Sequence, residues 1–408
     1  MKMLDRRSIL KTALAAGAMS VWDAPVRFAF ASVPTDRRFV VVILRGALDG
    51  LAAVPPHGDP SYKSVRGALA LDTTGTNALH DLDGQFGLHP ALIDMKAMWD
   101  TKELVVFHNI SSPYRDRSHF DGQNVLETGG TGPHVLSDGW LNRSLMPLGL
   151  ANGDGALAVA STPPLMLAGL SKATSWMPEV MPEPDKAFLA RVRALYARDP
   201  VLQSALDRAL ETEAQADAAM DDKPKNAADM AKGYGAYGDL TPLFRGAGKL
   251  LAGDEGPRVA VFDVSGWDTH VNEGTGDGQL ARRLRGLDQG LDAFKAALGP
   301  AWEKTAIVMA TEFGRTVRPN GNGGTDHGTA GAAFLLGGAV QGGIVKAEWV
   351  GLEPAALQDG RDQPPRTDQR ALFKAALADH MGVARRAMED TVFPDSGSIA
   401  PISGLFRA

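Results

Sequence analysis

The chain has 408 residues and no cysteine, is 44% hydrophobic and 22% charged, and sets 42 basic against 48 acidic side chains for a formal charge of −6. Without cysteine there is no disulfide scaffold, no Cys-based zinc module, no thiol nucleophile and no Cys-ligated iron–sulfur cluster. The mild acidity speaks against a nucleic-acid binder, which carries a basic patch or stripe, and no interior run approaches the ~20 apolar residues of a membrane helix, so stable membrane insertion is not expected.

In chain order the first element is an address. Arg6-Arg7, with Ile9, Leu10 and Lys11 behind, precedes an Ala-rich apolar run, and Ala29-Phe30-Ala31 offers a small-x-small cleavage site. Basic, apolar and cleavage parts in that order look like a Tat export signal over residues 1–31. The expected partner is therefore the Tat export machinery, and the expected location is the periplasm or another exported site. Cleavage after Ala31 would make residue 32 the start of the mature chain.

Short apolar runs then alternate with amphipathic ones. Strands are expected at Phe39–Leu44, Leu104–His108, Leu157–Ala160, Val259–Val264, Thr305–Thr311 and Ala333–Leu336. Helices are expected at Ala91–Trp99, His119–Glu127, Lys186–Ala197, Val201–Met220, Gln279–Ala297 and Gln369–His380. Continuous apolar strands between helices predict an α/β fold, doubly wound, with a mostly parallel sheet covered on both faces. Residues 182–232, helix-rich and charged, read as a helical insertion between two halves of the sheet. Gly233–Gly256, with its seven glycines, reads as a loop-rich connection, and Pro354–Pro365 as another.

The polar residues of interest fall just after candidate strands, where such sheets bind ligands. Arg45 and Asp49 follow the first strand. Arg115, Arg117, Ser118 and His119 follow the second, Asp268 and His270 the fourth, and Glu312, Arg315, Asp326 and His327 the fifth. In a parallel sheet these groups converge on one edge. Asp268 and His270, an oxygen and a nitrogen donor two residues apart in an extended segment, suit a divalent ion, although a plain turn would also use them. Asp326-His327 follows the run Gly321-Asn-Gly-Gly324, which permits close backbone approach to a ligand but lacks the ending of a nucleotide-phosphate loop. Ser118 stands where a helix begins, as a nucleophile or as the cap of an S-x-x-D box with Asp121, or as both. Glu312 and Arg315 could equally form an ion pair at the sheet edge. The other histidines, His57, His80, His89, His108, His134 and His380, read as surface or core residues.

Taken together, RGALDGL at 45–51, HPAL at 89–92, RSHFDGQ at 117–123, WDTH at 267–270 and TEFGRT with GTDHG between 311 and 328 resemble the domain of unknown function 1501 family. That family is a set of Tat-exported bacterial proteins that looks like a distant branch of the alkaline phosphatase and sulfatase superfamily. The resemblance implies an alkaline phosphatase/sulfatase-like domain over 32–408, a doubly wound α/β sandwich with metal at the carboxyl edge of the sheet. It implies Asp49 as a first-strand ligand, Ser118 as the nucleophile, Asp268 with His270 as one ligand pair, and His327 with Asp326 as the last. Glu312 would stand where the superfamily often has Asp. In this chain Phe313 follows Glu312 where the superfamily often places His, which leaves room for one metal rather than two, Zn, Ca, Mg or Mn.

Two functions follow as expectations. One is an exported metal-dependent hydrolase of phosphate or sulfate esters, with Ser118 or a metal-bound water as nucleophile and Arg115, Arg117 or Arg45 on the equatorial oxygens. The other is a non-catalytic exported envelope protein that keeps the fold and binds a glycan or a partner. The corresponding ligands are a small anionic ester or an envelope glycan. No G-x-S-x-G elbow and no G-x-G-x-x-G after the first strand point to other chemistries.

Overall fold

The structure, a computed structural model, describes residues 35–178, 186–219 and 239–407. The expected leader lies outside the described residues. The central feature is a nine-stranded sheet built on β1 (Arg38–Arg45), every residue of which is buried or nearly so. Valine, isoleucine and phenylalanine dominate this strand because its two faces pack into different cores. Val40, Val42 and Leu44 enter one apolar cluster, while Phe39, Val41 and Ile43 enter the other. Side chains alternate across a strand, so a strand buried on both faces must be apolar throughout.

After β1 comes a two-stranded antiparallel ladder of β2 (His80–Asp81) and β3 (Gly87–Leu88). The remaining strands are β4 (Leu104–Ser111), β5 (Asn152–Val159), β6 (Lys172–Trp176), β7 (Val259–Ser265), β8 (Thr305–Ala310), β9 (Gly331–Leu336), β10 (Ile344–Lys346) and β11 (Thr367–Asp368). The sheet order is β10-β4-β9-β8-β1-β7-β5-β6, with β11 paired to β4. All pairings are parallel except those of β9, which runs antiparallel to both β4 and β8. Registers such as Arg45↔Ser265, Ile43↔Ala310 and Ile110↔Gly331 bring the carboxyl ends of β1, β4, β7 and β8 and the start of β9 to one edge. The mostly parallel doubly wound sheet expected from the sequence is the observed one.

Helices cover both faces. One carries α3 (Ile93–Asp100), α8 (Thr241–Ala252) and α9 (Gln279–Leu298); the other carries α5 (Trp140–Leu145) and α10 (Gln369–Ala375). Within residues 182–232 the described stretch, 186–219, holds two helices, α6 (Lys186–Tyr196) and α7 (Pro200–Ala219), joined by a short turn. Over Gly233–Gly256 the expectation of a loop is corrected. Residues Thr241–Ala252 form a helix whose Gly246 and Gly248 are contact points rather than turn residues. A Cβ on Gly246 would lie 2.3 Å from the Trp176 ring, and one on Gly248 would lie 2.8 Å from Ala297 Cβ.

Candidate metal centre

Three strand-end loops meet at the carboxyl edge of the sheet. The loop after β4 leads into α4 (His119–Thr128), which starts with Ser118 at its N-cap position and His119 as its first residue. The loop after β7 brings Asp268 and His270, and the loop from β8 to β9 brings Glu312, Arg315, Asp326 and His327. Among the described residues, His119, Asp268 and His327 each offer a donor atom within 4.8 Å of the others. His327 Nε2 lies 2.9 Å from His119 Nε2 and 2.9 Å from His270 Nε2. Asp268 closes the group, its Oδ1 3.0 Å from His270 Nε2 and 3.3 Å from His327 Nε2, its Oδ2 3.4 Å from His119 Nε2.

The opposite ring nitrogens decide what this meeting means. His119 Nδ1 donates to Glu312 Oε1 at 2.7 Å, and His327 Nδ1 donates to the Arg117 carbonyl at 2.9 Å. His270 Nδ1 faces Asp326 Oδ1 at 3.3 Å. With the Nδ1 positions protonated against acceptors, the neutral rings turn Nε2 lone pairs toward one another. Lone pairs at 2.9 Å repel unless a proton or a cation lies among them. This is also how metal-binding imidazoles are held, with the far nitrogen tied to a carboxylate or carbonyl. The residues present therefore fit a divalent cation.

Without a cation, a proton fills that space. Hydrogen bonds to Asp268 and Glu312 raise His119 to about 9 against its partial burial. Partial burial pushes Asp268 up, but hydrogen bonds from His119 and His327 and the charges of Arg315 and His270 outweigh it and hold the carboxylate below its usual range. In the absence of an ion, a proton on His119 therefore persists into alkaline solution, and a bound cation would have to displace it. It is also open: the side chains of Asp268 and His270 are 41% and 38% exposed.

Not all the sequence-predicted residues sit in this cluster. Glu312 is fully buried behind His119 and accepts from Gly46 N and Gln123 Nε2 as well, so it orients an imidazole. Burial would raise its pKa, yet the hydrogen bonds from His119 and Gln123 lower it. Asp326 likewise stands behind His270 and accepts from Asn320 Nδ2. Asp49 is elsewhere: it caps α1 (Gly50–Ala53) through Leu51 N and Ala52 N, and pairs with the buried Arg66 of α2 (Tyr62–Arg66) at 2.8 Å. A first-strand ligand role is corrected on that ground, since both carboxylate oxygens are already taken.

The arginines are also reassigned. Arg115 turns its Nη1 to the carbonyls of Ser112 and Tyr114. Arg117 grips Asp362 Oδ2 through Nε and Nη2 at 3.0 and 2.7 Å, and Arg45 spans Asp263 and Glu127. The guanidinium at the cluster is Arg315, whose partner is Asp268 at 2.5 Å rather than Glu312. It donates as well to the carbonyls of Ala47, Gly46, Trp267 and Thr325, pinning three strand-end loops together.

Ser118 resolves differently from the capping box. Its side chain makes no cap hydrogen bond, and its own N–H donates to the Tyr114 hydroxyl at 3.0 Å. The hydroxyl is thus left for other work beside His119. Sequence reasoning places His119 after the second strand but gives it no role as a ligand, because Ser118 beside it in RSHFDGQ reads as the reactive residue. Phe313 packs its ring against His119 and His327 at 4.9 and 5.2 Å.

An α/β sandwich with a three-imidazole, one-carboxylate cluster at the carboxyl edge of its sheet defines the class of protein. The chain belongs to the family described as protein of unknown function (DUF1501), whose model matches residues 99–392. No curated protein matches it. Among solved structures it is similar to Ps i-CgsB in complex with k-i-k-neocarrahexaose, at 10% identity over 86% of this chain and 73% of that one, TM-score 0.43. It is similar to the PsFucS1 sulfatase from Pseudoalteromonas sp., at 12% over 90% and 71%, TM-score 0.40. It is also similar to a protein in the alkaline phosphatase superfamily from Vibrio parahaemolyticus, at 11% over 95% and 78%, TM-score 0.37. Among the described residues no helix is long and apolar enough to cross a membrane.

Proposed function

We propose that the chain is an exported metal-dependent hydrolase of phosphate or sulfate esters, with His119, Asp268, His270 and His327 as the residues that hold one divalent cation. The observation that carries this reading is the meeting of Nε2 atoms at 2.9 Å with acceptors behind the imidazoles. Three nitrogens and one carboxylate form a donor set for zinc rather than for calcium or magnesium, which take oxygen. When bound, such an ion supplies Lewis-acid polarisation of a phosphoryl or sulfuryl oxygen.

The chain's own residues supply the rest. Ser118 heads the ten-residue α4, where the positive end of the helix favours an alkoxide and a bound anion. In the proposed displacement Ser118 Oγ, or a water in its place, forms a bond to phosphorus or sulfur and gives up its proton to solvent. The bond to the bridging ester oxygen breaks, and that oxygen leaves with the electron pair and takes a proton from solvent. Water then releases the group from Ser118 and restores the hydroxyl. Glu312, Asp326 and the Arg117 carbonyl keep the imidazoles in the tautomer that presents Nε2. Arg315 keeps Asp268 ionised and the three loops in register.

Metal content of the full chain, matured by its own export route, is the test. One equivalent is expected, lost in a His119→Ala, His327→Ala double variant together with hydrolysis of p-nitrophenyl phosphate or p-nitrophenyl sulfate. Well-folded protein that takes up none of Zn²⁺, Mn²⁺, Mg²⁺ or Ca²⁺ overturns the mechanism. Export is tested apart from it: Arg6→Lys with Arg7→Lys should leave full-length precursor in the cytoplasm.

A further inference from the structure

Beside the imidazole cluster lies a cavity of about 220 Å³, lined by Thr316, Arg318, Pro319, Asp326, Gly360 and Arg361. We propose that it is a second anion subsite, which takes a further sulfate, phosphate or carboxylate carried on the non-reacting part of the substrate. The word substrate rests on the hydrolase reading; the subsite does not.

The argument starts from Arg318. Its guanidinium is exposed and has no hydrogen-bond or ion-pair partner among the described residues, while its backbone carbonyl accepts from Thr316 Oγ1 at 3.0 Å. Elsewhere around the centre the guanidinium groups are spent: Arg66 on Asp49, Arg117 on Asp362, Arg315 on Asp268. In a chain of net charge −6 an unpartnered guanidinium on a cavity wall is a fork of donors waiting for an anion.

Arg361 brings a second cation to the same wall. It is partly committed, donating from Nη2 to the His327 carbonyl at 2.8 Å and lying 3.1 Å from Asp362 Oδ1 through Nη1. The one carboxylate in the lining, Asp326, is held toward Asn320 and His270. With Arg361 set against Asp362 and Asp326 turned to Asn320 and His270, Arg318 is the cation of this lining that has no carboxylate of its own among the described residues. Its walls are rigidly tied, because Asp326 N donates to Thr316 Oγ1 and Thr316 pairs with Asp362 as an isolated bridge. The volume falls below the usual ~300–1,000 Å³ of small-molecule sites, so it suits one anionic group with the carbon that carries it.

Position gives the subsite its use. Asp326 stands between the cavity and His270, and Arg361 holds the carbonyl of His327, so the occupant sits one side chain away from the centre. An ester bearing a second anionic group near the scissile one reaches both. A polyanionic glycan or a doubly phosphorylated small molecule has that chemistry, and a singly charged ester does not.

Inorganic sulfate is the probe, titrated calorimetrically into the full chain against an equal ionic strength of sodium chloride. Wild-type protein and the His119→Ala, His327→Ala variant should both bind it. Arg318→Ala should weaken that binding about tenfold without moving the melting temperature, and Arg318→Lys should restore part of it. Sulfate binding absent in wild type, or lost with the two histidines and indifferent to Arg318, overturns the subsite whether or not esters are hydrolysed. Binding that depends on Arg318 in a protein that hydrolyses no ester sustains the subsite and overturns the hydrolase reading alone.

Discussion

At the scale of single residues the chemistry turns on side chains that stand back to back. Glu312 does not reach into the cluster, yet its buried carboxylate fixes the tautomer of His119 at 2.7 Å. Removing such a partner typically costs 10–100-fold in metal affinity. Glu312→Gln is expected to lower zinc affinity by about that factor, measured by competition with a chromogenic chelator, while Arg115→Ala leaves it unchanged. Ser118→Ala is expected to abolish turnover and keep the bound metal. Because the Ser118 hydroxyl makes no cap hydrogen bond, the usual loss of ~1 kcal/mol for a cap does not apply, and the melting temperature should hold within about 2 °C. A larger drop would restore the capping role. The sequence could single out Asp268, His270 and His327 as candidates because ligand-type residues two apart, or after a glycine run, can be read without a fold, and the structure brings the three together. It could not disclose which carboxylates face inward. Asp49, Glu312 and Asp326 have the same chemistry as Asp268, and only the buried guanidinium of Arg66 or the imidazole in front separates them.

At the scale of elements, periodicity carried the strands and most helices, and failed where glycine did something other than turn. β1, β4, β7, β8 and β9 lie within a few residues of their expected places because strands apolar on both faces leave a continuous signature. The helix Thr241–Ala252 was hidden by glycines whose purpose is tertiary: Gly246 lets Trp176 rest on the helix, and Gly248 lets α9 approach. On propensity alone Gly246→Ala gains roughly 0.5–1 kcal/mol. A methyl 2.3 Å from a buried indole demands movement, and overpacking a core costs typically ~1–3 kcal/mol. The clash outweighs the propensity, so the substitution is expected to destabilise, read as a lower urea midpoint with an unchanged slope. A raised midpoint would mean that Trp176 has room to withdraw. The buried trio of Asp49, Arg66 and Glu273 was illegible for the same reason, being assembled from three distant segments. Burial and the Asp49 charge push Glu273 up to about 8, and its Oε2 accepts from the hydroxyls of Thr269 and Thr325.

For the whole molecule, acid stability depends on three histidines that the sequence could only call surface or core. His89, His108 and His380 are buried, with Nε2 donating to the carbonyls of Thr275, Val54 and Arg38 respectively. In His89 and His108 the Nδ1 also faces a backbone N–H, from Ala91 and Asn109, which leaves no place for a second proton. Burial lowers all three to about 4, against ~6.5 in an unfolded chain. The unfolded state therefore binds more protons between those values, and stability present above pH 6.5 is lost as the pH falls toward 4. Two carboxyls act in the opposite sense. Burial raises Glu273 to about 8 and Asp288 to about 6, so each favours the folded state as it takes up its proton in the same window. His119 does not vote there, because its folded value of about 9 lies above the unfolded one and its contribution is already complete below pH 6.5. Three losses against two gains leave a net loss of stability on acidification. The folding free energy in urea should accordingly fall between pH 7 and pH 5, before the ordinary carboxylates begin to titrate. His108→Gln, whose amide can still donate to the Val54 carbonyl, should be less stable than wild type at pH 7 but lose less on acidification. Equal pH slopes for the two proteins would place the acid sensitivity outside the buried imidazoles.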